Sequence, residues 1–346
     1  MVGAGGMAAN WIRSLLPQFA ERLEIVGLVD VTAAALATSG DFLGLRPEPR
    51  FTDMRTAFAN VDADCCVVAV PALFHAQAIV LAAERNLPVL CEKPLAADWD
   101  GCCEAYRAAK RAELKVQVVQ NYRYRAPMLA MRAVLRGGEL GRINYIVSRW
   151  ADDCREYDSW PRRHELPHAV LMDAAAHHFD MLRNLSGADC ARITALEWNP
   201  PWSSSRGEFC ALCVMRMTSD TRATYEGNAT AAGEQNTWRR DYYRAECEAG
   251  SVTVGLDQIV RIHRHRRDRG LLTEEVPAPV PPREAHVWIV NEFLEWLDDG
   301  PPPETTLEDN MRTAAMIFGA IESARTGQTV DVEQMVSSAI ELTPPA

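Results

Sequence analysis

Along the first third of the chain, short apolar runs alternate with segments of helical length. Residues 23–30, 64–70, 87–91 and 115–120 read as buried strands. Residues 9–19, 74–85 and 99–112 read as the helices between them. This strand–helix alternation predicts a parallel sheet with helices on both faces. After about residue 121 the pattern changes. A helix over 127–137 leads to a strand over 143–150. A long polar loop and a helix over 172–185 follow. Consecutive strand-like runs then cover 193–198, 209–217, 222–229, 242–247, 251–254 and 260–263, with turns but no helices between them. Such a series predicts a large, mostly antiparallel sheet. Helices over 285–297 and 307–324 close the chain, and the basic tract 263–269 reads as a solvated loop. The pattern thus predicts an α/β protein with a doubly wound parallel domain over 1–121 and an α/β domain with an open sheet over 122–346.

Length and composition fit this division. The chain has 346 residues, 48% hydrophobic and 24% charged, which is globular and long enough for two domains. A net charge of −11 argues against a nucleic-acid or anionic-membrane surface. The longest apolar run, 65–74, is too short to span a bilayer. No basic-then-apolar leader precedes the first motif, so a cytoplasmic location is expected. Ten scattered cysteines read as small buried residues in a reducing compartment. Cys210 and Cys213 have CxxC spacing but lie in one strand with no second pair, so no metal site is expected.

Three clusters carry chemistry. The first is Gly3-Ala4-Gly5-Gly6-Met7-Ala8, a G-x-G-x-x-A fingerprint opening a helix. Gly3, Gly5 and Gly6 permit a tight turn and close approach of a pyrophosphate, with Met7 and Ala8 beginning the helix behind it. Asp30 ends the next strand and is placed to bind adenosine ribose hydroxyls. No arginine adjoins it to take a 2′-phosphate, which favours NAD while leaving NADP possible. Only Met1 and Val2 precede Gly3, where this fold has a central strand. The expectation is that translation starts upstream, or that this fold is impaired.

The second cluster is Glu92-Lys93-Pro94, directly after an apolar strand. Lys93 therefore sits at a strand's carboxyl end, where open α/β sheets hold ligands. It is one of only three lysines, the other 33 basic residues being arginine. An ammonium can give a proton or place compact charge beside a reacting oxygen; the competing reading is an ordinary solvated turn. The third cluster is Asp173, His177 and Asp180, spaced i, i+4, i+7 on one helix face. Two carboxylates flanking an imidazole fix its tautomer and raise its basicity. The alternative is a helix terminus with dipole-favoured acids. His178 points away and reads as structural.

Together these residues resemble the glucose–fructose oxidoreductase/inositol dehydrogenase (Gfo/Idh/MocA) family. The resemblance includes the glycine loop, Val70-Pro71 followed by His75, and Glu92-Lys93-Pro94. It continues through Asn121-Tyr-Arg-Tyr, Gly138-Glu-Leu-Gly141, Asp173 with His177 and Asp180, and Ser323-Ala-Arg-Thr-Gly327. It implies NAD(P)-dependent oxidation of a sugar, cyclitol or related polyol, without a metal, by a homodimer or homotetramer assembled through the second domain's sheet. It implies that Lys93 polarises the substrate hydroxyl, His177 takes its proton and Asp173 orients the pair. Pro71, His75, Glu92 and Asn121 are implied to line the cofactor crevice. Ala175 stands where the family pattern has glycine. Trp150, Trp160, His164 and Asp180 are candidate substrate contacts; the two tryptophans and His164 equally read as core. The family also contains NAD-dependent glycosidases, and a non-catalytic cofactor-binding regulator is a third reading. Retention of Lys93, Asp173 and His177 together argues against the regulator.

Overall fold

The structure, a computed structural model, describes residues 1–156, 164–233, 235–236, 238–283 and 285–341. Trp160 lies outside them. The chain divides into two compact units. One comprises Met1–Gln120, His286–Met311 and Ala339–Ala346; the other comprises Asn121–Ala285 and Arg312–Ser338. The division expected at 121/122 therefore needs correction, because a later segment returns to the first unit. The reason is the open edge of its sheet. Val118 N–H donates to Thr305 O at 2.9 Å, and Gln117 bridges Thr306 in antiparallel fashion. Lys115 Nζ reaches Trp296 O at 2.7 Å, and the His286 ring meets Trp11 edge-on.

In the first unit, β1 (Leu28–Val29) pairs in parallel with β2 (Arg50–Phe51). Parallel pairing also joins β3 (Cys66–Val68), β4 (Val89–Cys91) and β5 (Val116–Val118). Val2 bridges β1 and β3 in parallel. The spatial order β2-β1-Val2-β3-β4-β5 is that of a doubly wound dinucleotide-binding sheet. Met1 and Val2 thus take the central position. Val2 donates to Val67 O at 2.8 Å, Gly3 donates to Val29 O at 2.7 Å, and Ala69 donates to Val2 O at 2.8 Å. The Met1 ammonium donates to Gly27 O, and its burial lowers its pKa. Observed strands are shorter than the apolar runs because ladder pairing, not hydrophobicity, bounds them.

In the second unit, β6 (Ile143–Ala151), β7 (Cys190–Trp198), β8 (Cys210–Met217), β9 (Arg222–Asn228) and β10 (Tyr242–Cys247) join four further strands. These are β11 (Gly250–Val254), β12 (Val260–Arg266), β13 (Gly270–Val276) and β14 (Val330–Asp331). The order is β13-β12-β11-β10-β6-β9-β8-β7-β14. Of its neighbouring pairs, only β6–β9 is parallel. The basic tract 263–269 is not simply a loop. Its first residues continue β12, which turns into β13, where Arg261 pairs with Glu275 and Arg264 with Glu274. A π-helical turn, Val170–Ala174, runs into the helix Ala175–Ser186. Gly227 of β9 lets this helix approach the sheet: a Cβ there would sit 2.3 Å from Val170 Cγ1.

Candidate active site

In the first unit the glycine loop leaves the short central strand and enters a helical turn, Gly6–Asn10. Gly3 has φ +105°, and a Cβ there would lie 2.6 Å from Ala69 O. The chain can make this turn only with glycine. Gly6 has φ +52° with open space around its missing Cβ, and Gly6 and Met7 are exposed while Ala8 is buried. Asp30 closes the loop from β1. Its Oδ2 accepts from Ala4 N–H at 2.8 Å and Gly5 N–H at 3.3 Å, and its Oδ1 accepts from Thr32 N–H at 2.8 Å. An open glycine turn with a carboxylate at the neighbouring strand end fits a dinucleotide. These residues would hold its pyrophosphate and ribose.

Lys93 follows β4 and is half-buried, and the Lys93–Pro94 peptide is cis. Its surroundings hold it from below. Glu92 is buried, with Oε1 accepting from Trp11 Nε1 at 2.8 Å and Oε2 accepting from Lys93 N–H at 3.2 Å. Trp11 belongs to the helical segment after the glycine loop, so one carboxylate ties that segment to the lysine turn. His75 is also buried, with Nδ1 2.8 Å from Pro94 O and Nε2 2.8 Å from Val70 O. Burial pushes its pKa down, against the pull of both carbonyls. Glu92 and His75, which the resemblance implies line the cofactor crevice, are buried and brace the turns at Pro71 and Lys93. Pro71 itself is exposed, capping the short helix Ala72–Phe74.

In the second unit, Asp173 lies in the π-helical turn and His177 one turn later. Asp173 is half-buried, whereas the residues on either side, including Ala174, Ala175 and Ala176, are buried. Ala175 has φ −64° and ψ −22°, so alanine costs the helix nothing where the family pattern has glycine. The His177 imidazole stacks on the Tyr122 ring, with centroids 4.2 Å apart and planes 7° apart. Trp238 meets the imidazole edge-on at 6.1 Å. Tyr122 belongs to the 3-10 turn Asn121–Tyr124, all four residues of which are buried. Its hydroxyl accepts from Arg239 N–H at 3.2 Å, and Arg125 lies over its ring, 4.8 Å from the centroid. Burial pushes the Tyr122 phenol well above its usual pKa.

Asp180 is fully buried. Arg123 donates to its two oxygens at 2.7 and 2.5 Å, and Thr313 Oγ1 donates at 3.1 Å. Its expected place among the substrate contacts is therefore corrected. Two other candidates also belong to the interior: Trp150 packs against Trp238, and His164 against Phe209 and Ser204. His178 is structural, as expected: its Nε2 donates to Asp241 Oδ1 at 2.9 Å, and its ring stacks near Tyr225. Tyr122 and Arg123 were missed as site residues. The signal was present in Asn121-Tyr-Arg-Tyr, but a one-dimensional pattern does not show which helix an aromatic covers.

Residues 1–120 match the model described as "Oxidoreductase family, NAD-binding Rossmann fold", and residues 128–253 match the GFO/IDH/MocA C-terminal domain. The uncharacterized protein y4oX of Sinorhizobium fredii is 33% identical over 97% of this chain and 96% of its own length. A D-apiose dehydrogenase of Paraburkholderia graminis is 25% identical over 99% of this chain and 92% of its own. An Agrobacterium radiobacter oxidoreductase, solved with NAD+, L-tartaric acid and magnesium, shares the fold with a TM-score of 0.82 at 21% identity. That match covers 96% of this chain and 98% of that one. By motif, sheet order and likeness over its whole length, the chain belongs to the Gfo/Idh/MocA family of NAD-binding oxidoreductases.

Proposed function

We propose that the protein oxidises a secondary hydroxyl of a sugar, cyclitol or related polyol, or reduces the corresponding carbonyl. Bound NAD supplies the hydride acceptor. Neutral His177 takes the hydroxyl proton as hydride leaves the carbon, a general-base step worth about two to four decades in rate. The Lys93 ammonium stabilises the charge developing on the oxygen. Asp173 orients the imidazole. The observation that carries this reading is the His177 ring, held flat on Tyr122 one turn beyond a half-buried carboxylate. A relative named for D-apiose oxidation supports a sugar-like substrate. Incubating the protein with NAD and a panel of aldoses, inositols and sugar acids, while following NADH, tests the reading.

Leu196 and Leu212 face one another across β7 and β8, and with Val214 they are 63%, 44% and 59% exposed. Such an apolar strand face supports self-association through the sheet, as a dimer or tetramer. Leu212→Glu should dissociate it in sedimentation. Among the described residues no helix is long and apolar enough to cross a membrane. The ten cysteines are free thiols, and we place the protein in the cytoplasm.

A further inference from the structure

The buried turn Asn121–Tyr124 grips the helix Ala175–Ser186 at two adjacent residues. Arg123 holds Asp180 through paired hydrogen bonds, which fixes the helix in rotation and height. Tyr122 holds His177, three residues earlier, by the face of its ring. An imidazole on a helix has a broad second torsion, because that bond joins tetrahedral to planar carbon. Packing around it must therefore set the direction in which its nitrogens point. The Tyr122 ring is suited to this. It is 3% exposed, its hydroxyl is tethered to Arg239 N–H, and the Arg125 guanidinium lies over it. Arg125 is itself held, by Asp241 at 3.2 Å, Gln258 at 2.7 Å and the Arg239 carbonyl. The aromatic plane is thus fixed from its rim and from its face, and the imidazole lies parallel to it.

We infer that Tyr122 is a positioning residue for His177: its ring face, not its hydroxyl, sets the plane of the imidazole. The inference rests on the role proposed for His177, but its physical part does not depend on turnover. A misaimed base costs on the order of a hundredfold when displaced by about 1 Å. Replacing the ring by an aliphatic side chain should therefore lower turnover by about tenfold to a hundredfold. Affinity for NAD should not change.

The test uses the full chain with histidine labelled for NMR, the His177 resonance being assigned by its loss in His177→Gln. In the wild type, His177 ring protons should be displaced upfield by the Tyr122 ring current. Tyr122→Phe loses only the tether to Arg239 N–H and keeps the ring under Arg125, so it should retain the displacement and most of the turnover. Tyr122→Leu should lose the displacement and the turnover together, with NAD binding preserved. If Tyr122→Leu does not fold, the wild-type and Tyr122→Phe spectra still decide. Undisplaced His177 protons in the wild type overturn the inference, as does a Tyr122→Phe protein as slow as His177→Gln. If no polyol is turned over but the ring-current signature is present and depends on the Tyr122 ring, the positioning stands and the proposed reaction fails.

Discussion

Arg123 and Asp180 form a two-bond ion pair in the interior of the second unit, with side chains 5% and 0% exposed. Removing one partner leaves a buried charge without compensation, at about 3–5 kcal/mol. Arg123→Met should therefore lower stability by about that amount in urea unfolding, softened by the Thr313 hydroxyl and the more distant Arg183. Arg123→Met with Asp180→Leu should recover much of the loss, because both charges are then gone. A single variant as stable as the wild type would show that the pair does not hold this helix.

Asp30 should decide the cofactor. Its carboxylate is fixed by three backbone amides beside the glycine loop, where it would face the adenosine ribose. A 2′-phosphate placed there meets like charge, so NAD should bind more tightly than NADP. Asp30→Ala should narrow the difference. Fluorescence titration with both nucleotides measures it, and equal or tighter NADP binding by the wild type contradicts the assignment.

Gly3→Ala should damage the cradle. The φ of +105° strains any L side chain by about 1–3 kcal/mol. The added Cβ also meets Ala69 O at 2.6 Å. The variant should melt lower and bind NAD more weakly. Gly6, whose missing Cβ faces open space, should tolerate alanine better in packing despite its φ of +52°. Parallel melts of the two variants distinguish them, and equal damage would mean that strain rather than close approach governs the loop.

A histidine–carboxylate contact fastens the chain just before the π-helical turn Val170–Ala174. His168 Nδ1 lies 2.7 Å from Glu197 and 3.5 Å from Glu208, while its own N–H donates to Glu208 at 2.9 Å. The hydrogen bond with Glu197, then the nearby carboxylate charges, raise the His168 pKa; burial opposes this. Burial also raises Glu197, against the pull of His168. A raised histidine contributes stability that is full below its unfolded pKa near ~6.5 and lost as pH rises through the folded value. The melting-temperature gap between wild type and His168→Gln should be widest in mild acid and should narrow in base. A gap independent of pH would remove the charged contact.

Much of this arrangement was legible in one dimension because it rests on local rules. A strand followed by a glycine turn places Gly3 and Lys93 at strand ends, and a period of 3.6 places Asp173 and His177 on one helix. What could not be read depends on tertiary partners. Asp180 shares the spacing of Asp173 and His177, yet Arg123 from a distant turn engages both its oxygens. Trp150 and His164 read equally as sugar-stacking or core residues in sequence, and only their tertiary neighbours show that both are interior. β13 was missed because Leu271 and Leu272 are followed by Thr273, Glu274 and Glu275, with no alternation to mark an edge strand exposed along most of its length. The return of residues 286–311 to the first unit was hidden because a helix pattern does not state which edge it covers.

His177 and Lys93 are proposed to carry out NAD-dependent oxidation of a polyol hydroxyl. The most direct measurement is net NADH formation from NAD and a polyol panel by the wild type, His177→Ala and Lys93→Met, at matched NAD saturation. The account predicts stoichiometric NADH with at least one polyol and a fall of about two to four decades in each variant. NAD affinity of His177→Ala should remain close to that of the wild type. Substrate consumed without net NADH, or a His177→Ala protein turning over near the wild-type rate, would contradict it.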